Sequence, residues 1–469
     1  MFNIYFSNVF GLSAMYKKRL AFYSLLIGSV ALTLAIFLFI LDTDNIDSNV
    51  TVFDEVLYYS KFFWFAGALV AISNFIGLLV FGIPDDINRK NIKALTENGW
   101  NKNKKLIVVF VSKGDNYIAL ERSIITTGRL LEKYHINHRI DVVTDSEVKN
   151  KHSHGIAVVY HVVPDQYTTK GGSRYKARAL HFVVEKHAEE ELHTNNTETW
   201  VLHLDEESQL HESALAGIHT FINNPVNANA VGQGEIKYNA HQYGKNILIT
   251  AMDAVRTGDD LGRFRFQYKI FKKPLFGMHG SFILIPGKLE QMYGFDLGGK
   301  GSITEDAYFA LKCASEGHDF KWVDGFIQEQ SPYSISAIIK QRRRWYCGLM
   351  YLAFDRRVKF TSRAAMMLNM LLWTVAWVGP IVTFVNLMFG GYFPLLLIIC
   401  AALIQGFYVS VYMIGLWHNL EDTTISSLKR IYMFIATFIL VPVVNAIEGF
   451  SVLYGILKPV KHFDVVHKN

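Results

Sequence analysis

Acidic side chains end two short apolar segments in the middle of the chain. Asp145 closes RIDVVTD, and Asp205, Glu206 and Glu207 close TWVLHLDEE. If the second segment is a strand, alternation sends Asp205 and Glu207 to one face, where two carboxylates could hold Mn²⁺ or Mg²⁺ against a diphosphate. Asp145 is placed to accept hydrogen bonds from a nucleoside, because ligands collect at the carboxyl ends of strands in α/β sheets. Each acid could also be a helix N-cap or part of a solvated turn.

A second acidic group opens a predicted helix farther along the chain. Thr304, Glu305 and Asp306 follow a glycine-rich loop. Thr304 could cap the helix, and both acids would be favoured at its positive end, so capping alone explains the pattern. The alternative is that Asp306 is a general base, which removes the proton from an attacking hydroxyl group.

An amphipathic stretch just before an apolar run carries a third group. Gln341, Arg344 and Trp345 fall within about one helical turn. They offer an amide, a guanidinium that pairs with phosphate, and an indole that stacks on a sugar ring. A basic, aromatic helix beside a membrane is equally typical of a lipid-headgroup anchor.

The elements that must position these residues alternate between two patterns. Between residues 106 and 207, short runs of β-branched residues alternate with helical segments near 119–131 and 177–186. This alternation predicts an α/β domain with a mostly parallel sheet flanked by helices. The sequence contains no GxGxxG, P-loop, HExxH or CxxC motif, which excludes dinucleotide oxidoreductases, P-loop enzymes and zinc proteases. The net charge of +6 is modest and the basic residues flank apolar runs, so nucleic acid is not an expected partner.

Long apolar runs at both ends of the chain predict transmembrane helices. They cover residues 21–41, 62–81, 366–389, 393–417 and 431–457. Pro442 and Glu448 interrupt the last run, which could be one kinked helix or two short ones. Basic residues at 17–19 and 89–93, on either side of an acidic loop, predict a multi-pass membrane protein whose middle domain is cytoplasmic. The predicted domains are 1–83 with two transmembrane helices, a catalytic domain over 84–330, an interfacial helix over 331–362, and a membrane domain of about three apolar segments over 363–469.

The order of these motifs resembles that of the family 2 glycosyltransferases. That family has an early aspartate, a D-x-D-type metal motif, a TED and a Q-x-x-R-W, which match Asp145, the DEE at 205–207, the TED at 304–306 and the QRRRW at 341–345. The resemblance covers roughly residues 105–350. It implies a GT-A fold, a nucleotide-sugar donor and a divalent cation, and the flanking helices fit the membrane-bound branch of the family. The DEE departs from D-x-D and leaves open which acid binds the metal directly.

Finer matches at 168–180, 232–238 and 256–284 resemble the egghead/BRE-3 group of β-1,4-mannosyltransferases. Members of that group use GDP-mannose to extend glucosylceramide, so the resemblance implies a lipid-linked acceptor and contact with membrane lipids. The roles that it implies are Asp145 at the nucleotide, Lys176 near the diphosphate, Asp205 and Glu207 at Mn²⁺ or Mg²⁺, Asp306 as the base, Gln341, Arg344 and Trp345 at the donor phosphate and acceptor, and Glu305 and His279 as further acceptor contacts.

Two other functions remain open at the level of sequence. A processive synthase of chitin, cellulose or hyaluronan could secrete its polymer between the predicted helices, and long products would identify it. A transporter or channel with a cytoplasmic regulatory domain is disfavoured because Glu448 is the only clear acid in the apolar runs, whereas ion paths need polar residues. Flux without consumption of a nucleotide-sugar would favour the transporter.

Overall fold

The computed structural model of the chain describes residues 14–40, 51–148, 155–192, 198–241, 243–332 and 334–460, so most of the acidic loop at 42–55 lies outside the described residues. In chain order the helices are α1 Ala14–Ile40, α2 Val52–Ser60, α3 Ala68–Phe81, α4 Asp85–Asn98, α5 Tyr117–Lys133, α6 Tyr175–Glu189, α7 Glu212–Asn223, α8 Ile247–Asp259, α9 Gly287–Tyr293, α10 Gly298–Gly301, α11 Glu305–Ser315, α12 Ile335–Ala353, α13 Phe360–Val375, α14 Val378–Phe389, α15 Leu395–Leu420 and α16 Ser427–Leu457. The strands are β1 Lys104–Ser112, β2 His138–Thr144, β3 Val159–Val162, β4 Glu198–Asp205, β5 Gln209–Leu210, β6 Val231–Lys237, β7 Ile283–Pro286 and β8 Phe320–Gln328.

These elements form two compact units, and neither is continuous in sequence. The helical unit comprises Met1–Ile83, Tyr243–Phe266 and Leu368–Leu457. The sheet unit comprises Pro84–Gln242, Gln267–Met367 and Lys458–Asn469. Every residue predicted from sequence to take part in chemistry belongs to the sheet unit.

The sheet unit is built on one mixed sheet. Among the described residues, eight strands pair in the order β3-β2-β1-β4-β7-β6-β8-β5. Strands β3, β2, β1 and β4 are parallel, as are β6 and β8, whereas β7 runs antiparallel to both of its neighbours. The structure therefore confirms the predicted α/β fold with a mostly parallel sheet flanked by helices.

Burial on both faces explains why the central strands are almost continuously apolar. In β1, the residues from Leu106 to Ser112 are all buried. Parallel strands covered by helices on both faces have this character, because neither face meets water. The predicted helix near 119–131 is α5, which buries Leu120, Ile124 and Leu131 at helical spacing in the same core as β1 and β2.

The helical unit contains apolar helices of membrane-spanning length. In the part of the chain that the structure describes, five helical segments are long and apolar enough to cross a membrane: Ala14–Ile40, Val52–Phe81, Phe360–Phe389, Leu395–Leu420 and Ser427–Leu457. The last segment is one helix, α16, with Pro442 inside it, and not two short ones. These helices support a membrane-associated protein with apolar helices at both ends of the chain.

One further helix of the helical unit comes from the middle of the sequence. Helix α8 continues into a π-helical turn at Asp260–Phe264 and packs against α15 at very close range. A Cβ added to Gly258 would lie 2.1 Å from the Val411 carbonyl oxygen, and one added to Gly415 would lie 1.8 Å from that of Ala254. Glycine is therefore required at these contacts, as at other close helix crossings between apolar helices. The charges of this segment gave no indication in the sequence that it belongs with the apolar helices.

Candidate active site

The carboxyl ends of three neighbouring strands define the site. Strand β1 lies between β2 and β4 and is parallel to both. Its register pairs Ser112 with Thr144 and Val111 with Asp205. Asp205 is the last residue of β4, and Asp145 directly follows β2. Both predicted acids therefore lie at the same edge of the sheet.

Lys176, in the first turn of α6, joins the acids of two different elements. Its ammonium lies 2.6 Å from Asp205 Oδ1 and 3.3 Å from Glu305 Oε1, and it donates a hydrogen bond of 2.8 Å to the Gly280 carbonyl. Burial alone would lower the pKa of Lys176, but the charges of Asp205 and Glu305 outweigh burial and raise it. Lys176 is thus a charged group that holds the end of β4 against the start of α11.

Asp306 lies beside this ion pair at the beginning of α11. Its Oδ1 accepts a hydrogen bond of 2.7 Å from the Ala307 amide. A Cβ added to Gly280 would lie 3.0 Å from Lys176 Nζ and 3.1 Å from Asp306 Oδ2. Gly280 therefore leaves the space that lets these two charged groups approach the same backbone position.

The surroundings of Asp306 shift its proton affinity toward neutral pH. Burial raises the pKa of Asp306 to about 7, and the charge of Glu305 acts in the same direction. Lys176 and Arg344 oppose this shift only in part. A carboxylate with a pKa near the working pH is well matched to accept a proton from a hydroxyl group.

The QRRRW helix, α12, packs against the turn that precedes Asp306. A Cβ added to Gly348 would lie 2.5 Å from Thr304 Cγ2, and Arg344 Nη1 donates to the Ile303 carbonyl at 3.4 Å. Thr304 occupies the N-cap position of α11, but its side chain makes no capping hydrogen bond. Capping by Thr304 therefore does not account for the TED sequence.

The other two predicted residues of α12 are Gln341 and Trp345. Gln341 is buried and Trp345 is half-buried. The guanidinium carbon of Arg342, itself buried, lies 4.4 Å from the centre of the Trp345 ring. This cation–π contact fixes one face of the indole. Arg342 was not among the residues predicted from sequence.

The DEE sequence does not continue the strand as expected. Strand β4 ends at Asp205, so the prediction that strand alternation extends to Glu207 is wrong. Glu206 and Glu207 lie in a turn, where Ser112 donates a hydrogen bond to Glu206. Burial raises the pKa of Glu206 to about 7, and the charges of Glu207 and Asp205 add to the effect.

This acidic turn fits a divalent cation. Glu207 is only 8% exposed, and Asp205 uses Oδ1 for Lys176, which leaves it a second carboxylate oxygen. A cation would stabilise this cluster of carboxylates, whose charges raise the pKa of Glu206. Oxygen ligands of this kind suit Mg²⁺ or Mn²⁺. The residues predicted to hold the metal are thus chemically able to do so.

Two serines fix the position of the acidic turn, and sequence reasoning missed both. The Asp205 amide donates to Ser281 Oγ at 3.2 Å, and Ser281 Oγ lies 2.8 Å from Ser208 Oγ. Ser208 also donates to Glu329 at 2.8 Å. Phe282, next to Ser281, has a φ of 53°, which is rare for a residue other than glycine. The strained backbone and the buried serines together orient the end of β4.

Asp145 pairs with a second cation from α6. Arg178 Nη2 donates to Asp145 Oδ1 at 2.8 Å, and Arg178 Nη1 donates to the Tyr167 carbonyl at 3.1 Å. Helix α6 therefore supplies Lys176 to Asp205 and Arg178 to Asp145. Arg178 could not be identified from sequence, because its importance depends on how α6 lies across the strand ends.

His279 precedes Gly280, the residue that accepts a hydrogen bond from Lys176. It is half-buried, and its carbonyl accepts a hydrogen bond of 3.4 Å from Gln233. This places its backbone next to the site. Its predicted contact with an acceptor remains a prediction, as do the predicted roles of the other site residues.

In sequence, the chain is similar to known glycosyltransferases. Residues 200–414 match the family described as "Glycosyl transferase family group 2". It is similar to "Beta-1,4-mannosyltransferase egh" of Drosophila melanogaster, with 27% identity over 420 residues, or 88% of each chain. It is also similar to "Beta-1,4-mannosyltransferase bre-3" of Caenorhabditis elegans, with 29% identity over 361 residues, or 76% of this chain and 77% of the relative.

Among solved structures, mannosyl-3-phosphoglycerate synthase from Rubrobacter xylanophilus aligns with 58% of this chain and 79% of its own, at 13% identity and a TM-score of 0.34. A similarity this distant carries no functional argument.

Proposed function

We propose that this protein is an inverting β-1,4-mannosyltransferase, which transfers mannose from GDP-mannose to a glycolipid resembling glucosylceramide at the cytoplasmic face of a membrane. The observation that carries the proposal is the convergence of Lys176, Asp205 and Glu305 next to the half-buried Asp306. The similarity to two β-1,4-mannosyltransferases supports the choice of sugar and linkage.

The donor side of the site is formed by the strand ends and α6. Asp145, held by Arg178, would accept hydrogen bonds from the nucleoside. Lys176 would pair with the diphosphate, because it is a charged ammonium at the start of a helix. Asp205 and Glu207 would hold Mn²⁺ or Mg²⁺, which supplies positive charge to the departing nucleoside diphosphate.

The acceptor side is formed by Asp306. Its carboxylate would take the proton of an acceptor hydroxyl as that oxygen forms a bond to the anomeric carbon of the donor. The bond from the anomeric carbon to the diphosphate oxygen breaks in the same displacement, and its electron pair leaves with the nucleoside diphosphate. One displacement inverts the configuration, so an α-linked donor gives a β-linked product.

The helix α12 would complete the site from the other side of the TED turn. Arg344 acts on Asp306 by charge and would pair with the donor phosphates. The exposed part of Trp345 offers a flat apolar surface for a sugar ring, and Gln341 an amide group. Glu305 and His279 would contact the acceptor.

The membrane setting supports a lipid-linked acceptor. Five helical segments in the described part of the chain have the length and apolar character of membrane spans. The basic residues at 17–19 and 89–93 favour a cytoplasmic location for the glycosyltransferase domain. A glycolipid acceptor would then be presented by the surrounding membrane lipids.

The proposal is tested by incubating the detergent-solubilised protein and Mn²⁺ with a panel of nucleotide-sugars and glycolipids. We expect GDP-mannose to add a single hexose to glucosylceramide, which mass spectrometry detects and β-mannosidase removes. The Asp306→Asn variant is the matched control for a contaminating transferase. Ladders of long polymer would instead identify a processive synthase, and consumption of a different donor would refute the mannosyl specificity.

A further inference from the structure

A second group of metal-binding side chains lies in the core of the sheet unit, away from the acidic turn. Asp141 lies within β2, His161 in β3 and His187 near the end of α6. Asp141 and His187 are fully buried and His161 is 8% exposed. One ligand atom of each residue lies within 4.8 Å of the others. The three residues come from three elements, so the fold, and not the local sequence, brings them together.

The imidazole of His161 points to this group. Its Nε2 is buried and has no hydrogen-bond partner among the described residues, and it lies 3.6 Å from Asp141 Oδ1. A buried ring nitrogen without a partner costs free energy unless it binds something else. Asp141 is also paired with His187, and its Oδ2 lies 2.7 Å from His187 Nε2.

The residues behind His187 have the arrangement expected around a metal-binding histidine. Glu290, from α9, is fully buried, and its Oε2 lies 3.9 Å from His187 Nδ1. The other oxygen of Glu290 is held by His203 of β4. Histidines that bind metals through one nitrogen commonly direct the other toward a carboxylate, which fixes the ring and raises its basicity.

Arg139 does not block the group. Its Nε donates to Asp141 Oδ1 at 2.6 Å, and its other end pairs with Glu190. Asp141 therefore keeps Oδ2 for His187, whereas His161 lies nearer Oδ1, the oxygen that Arg139 also contacts. A metal between Asp141 and His187 would replace the hydrogen that now joins them.

We propose that Asp141, His161 and His187 bind a divalent transition metal of the zinc class, at a site distinct from the catalytic cation. Two imidazole nitrogens and one carboxylate favour such a metal over Mg²⁺, which prefers oxygen ligands. Zinc ligands at about 2.0–2.1 Å in a tetrahedron lie about 3.4 Å apart. The widest separation, at most 4.8 Å, must therefore close by up to about 1.4 Å, and the 2.7 Å between Asp141 Oδ2 and His187 Nε2 must open. Three protein ligands are enough for a four-coordinate zinc site when water occupies the fourth position.

The location of the site gives it a positioning role. Asp141 precedes Asp145 by four residues on the same chain segment, and α6 carries both His187 and Lys176. The metal would therefore join β2, β3 and α6, the elements that hold the donor side of the active site. This inference does not depend on the identity of the sugar.

The test is the metal content of the full-length protein, purified in detergent from cells supplied with zinc and dialysed against a buffer that contains Mg²⁺. We expect about one zinc per chain by mass spectrometry of the elements, because Mg²⁺ does not compete for imidazole ligands. The His161→Gln variant should lose this zinc, whereas His138→Gln, a nearby half-buried histidine of β2, should keep it. Glu207→Gln should also keep it.

Zinc below about a tenth of an equivalent in the folded wild-type protein would overturn the proposal. The proposal would also be overturned if the His161→Gln variant kept its zinc and the Glu207→Gln variant lost it, because the metal would then lie in the active site. If His161→Gln fails to fold, X-ray absorption at the zinc edge of the wild-type protein decides the question. Two imidazole ligands support the site, and a shell without imidazole refutes it.

Discussion

The ammonium group of Lys176 lies 2.6 Å from a carboxylate oxygen of Asp205, although the two residues are 29 positions apart in the chain. Lys176 also contacts Glu305, so a single cation faces both the acid at the end of β4 and the acid that opens α11. In the absence of donor, Lys176 thus neutralises acids that have separate roles in the proposed reaction. The consequences for Asp306, which lies next to this cation, can be measured.

The rate of transfer should depend on the protonation of Asp306. Its pKa is raised to about 7, and a general base is active only when deprotonated, so kcat/KM should fall as the pH is lowered through about 7. Glu305→Gln removes a charge that raises this pKa, so the fall of kcat/KM on the acid side of the pH profile should move to lower pH. Lys176→Met removes a charge that lowers the pKa of Asp306, so the same fall of kcat/KM should move to higher pH. The measurement is kcat/KM against pH for the three proteins, and profiles that move in the same direction would contradict the model of opposing charges.

Replacement of Asp306 by asparagine should remove the base and preserve the shape of the site. We expect transfer to fall by roughly 10²- to 10⁴-fold, the usual contribution of general base catalysis. Donor affinity, measured by calorimetry with GDP-mannose, should change little. Asp165→Asn, at an exposed aspartate, is the control and should keep full activity. Normal turnover by Asp306→Asn would eliminate this residue as the base.

A methyl group at Gly280 should displace the two charged groups that share its space. The added Cβ would lie 3.0 Å from Lys176 Nζ and 3.1 Å from Asp306 Oδ2, closer than most real Cβ contacts. We expect Gly280→Ala to lower kcat by up to about 10²-fold, since small displacements of catalytic groups have effects of this size. Gly28→Ala, where no atom lies within 4 Å of the added Cβ, is the matched control. Equal activity of both variants would show that the site tolerates the shift.

Arg178 should affect donor binding more than chemistry. It pairs with Asp145 at 2.8 Å, and the pair is partly exposed. Arg178→Met should raise the KM for the donor by about 2- to 5-fold, the range for a partly exposed ion pair, and leave kcat nearly unchanged. Lys186→Met, farther along the same helix, should have no effect on the KM. The Asp145→Asn variant and the double variant Arg178→Met/Asp145→Asn complete the test. If the effects of the two single variants on the KM simply add up in the double variant, the two residues do not act as a pair.

The strand ends could be predicted from sequence because their signal is local. An apolar run that stops at Asp205 or Asp145 indicates both a strand and an acid at its carboxyl end, and parallel strands bring such ends together. The partners of these acids could not be predicted in the same way. Arg178 and Ser281 act through the orientation of other elements, and nothing in their immediate sequence indicates it.

Helix α8 shows a different limit of sequence reasoning. Its charged residues suggested a segment of the water-soluble domain. In the structure these charges pair within the helical unit, where Asn74 donates to Asp259 at 2.7 Å and Arg263 Nε to the same oxygen at 2.8 Å. Hydropathy counts each charge at its full cost, but a paired charge costs much less to bury. The composition of a segment therefore did not reveal the unit to which it belongs.

The position of α8 also determines which fragments of this protein could fold. A fragment that begins at Pro84 and ends at Met367 would retain α8 without α3 and α15, and would expose the glycine surfaces at Gly258 and Gly262 that these helices cover. Removal of either end by proteolysis should consequently leave an incomplete product that tends to aggregate. The apolar helices therefore share a packed core with a segment from the middle of the chain, and their removal would leave that segment without its partners.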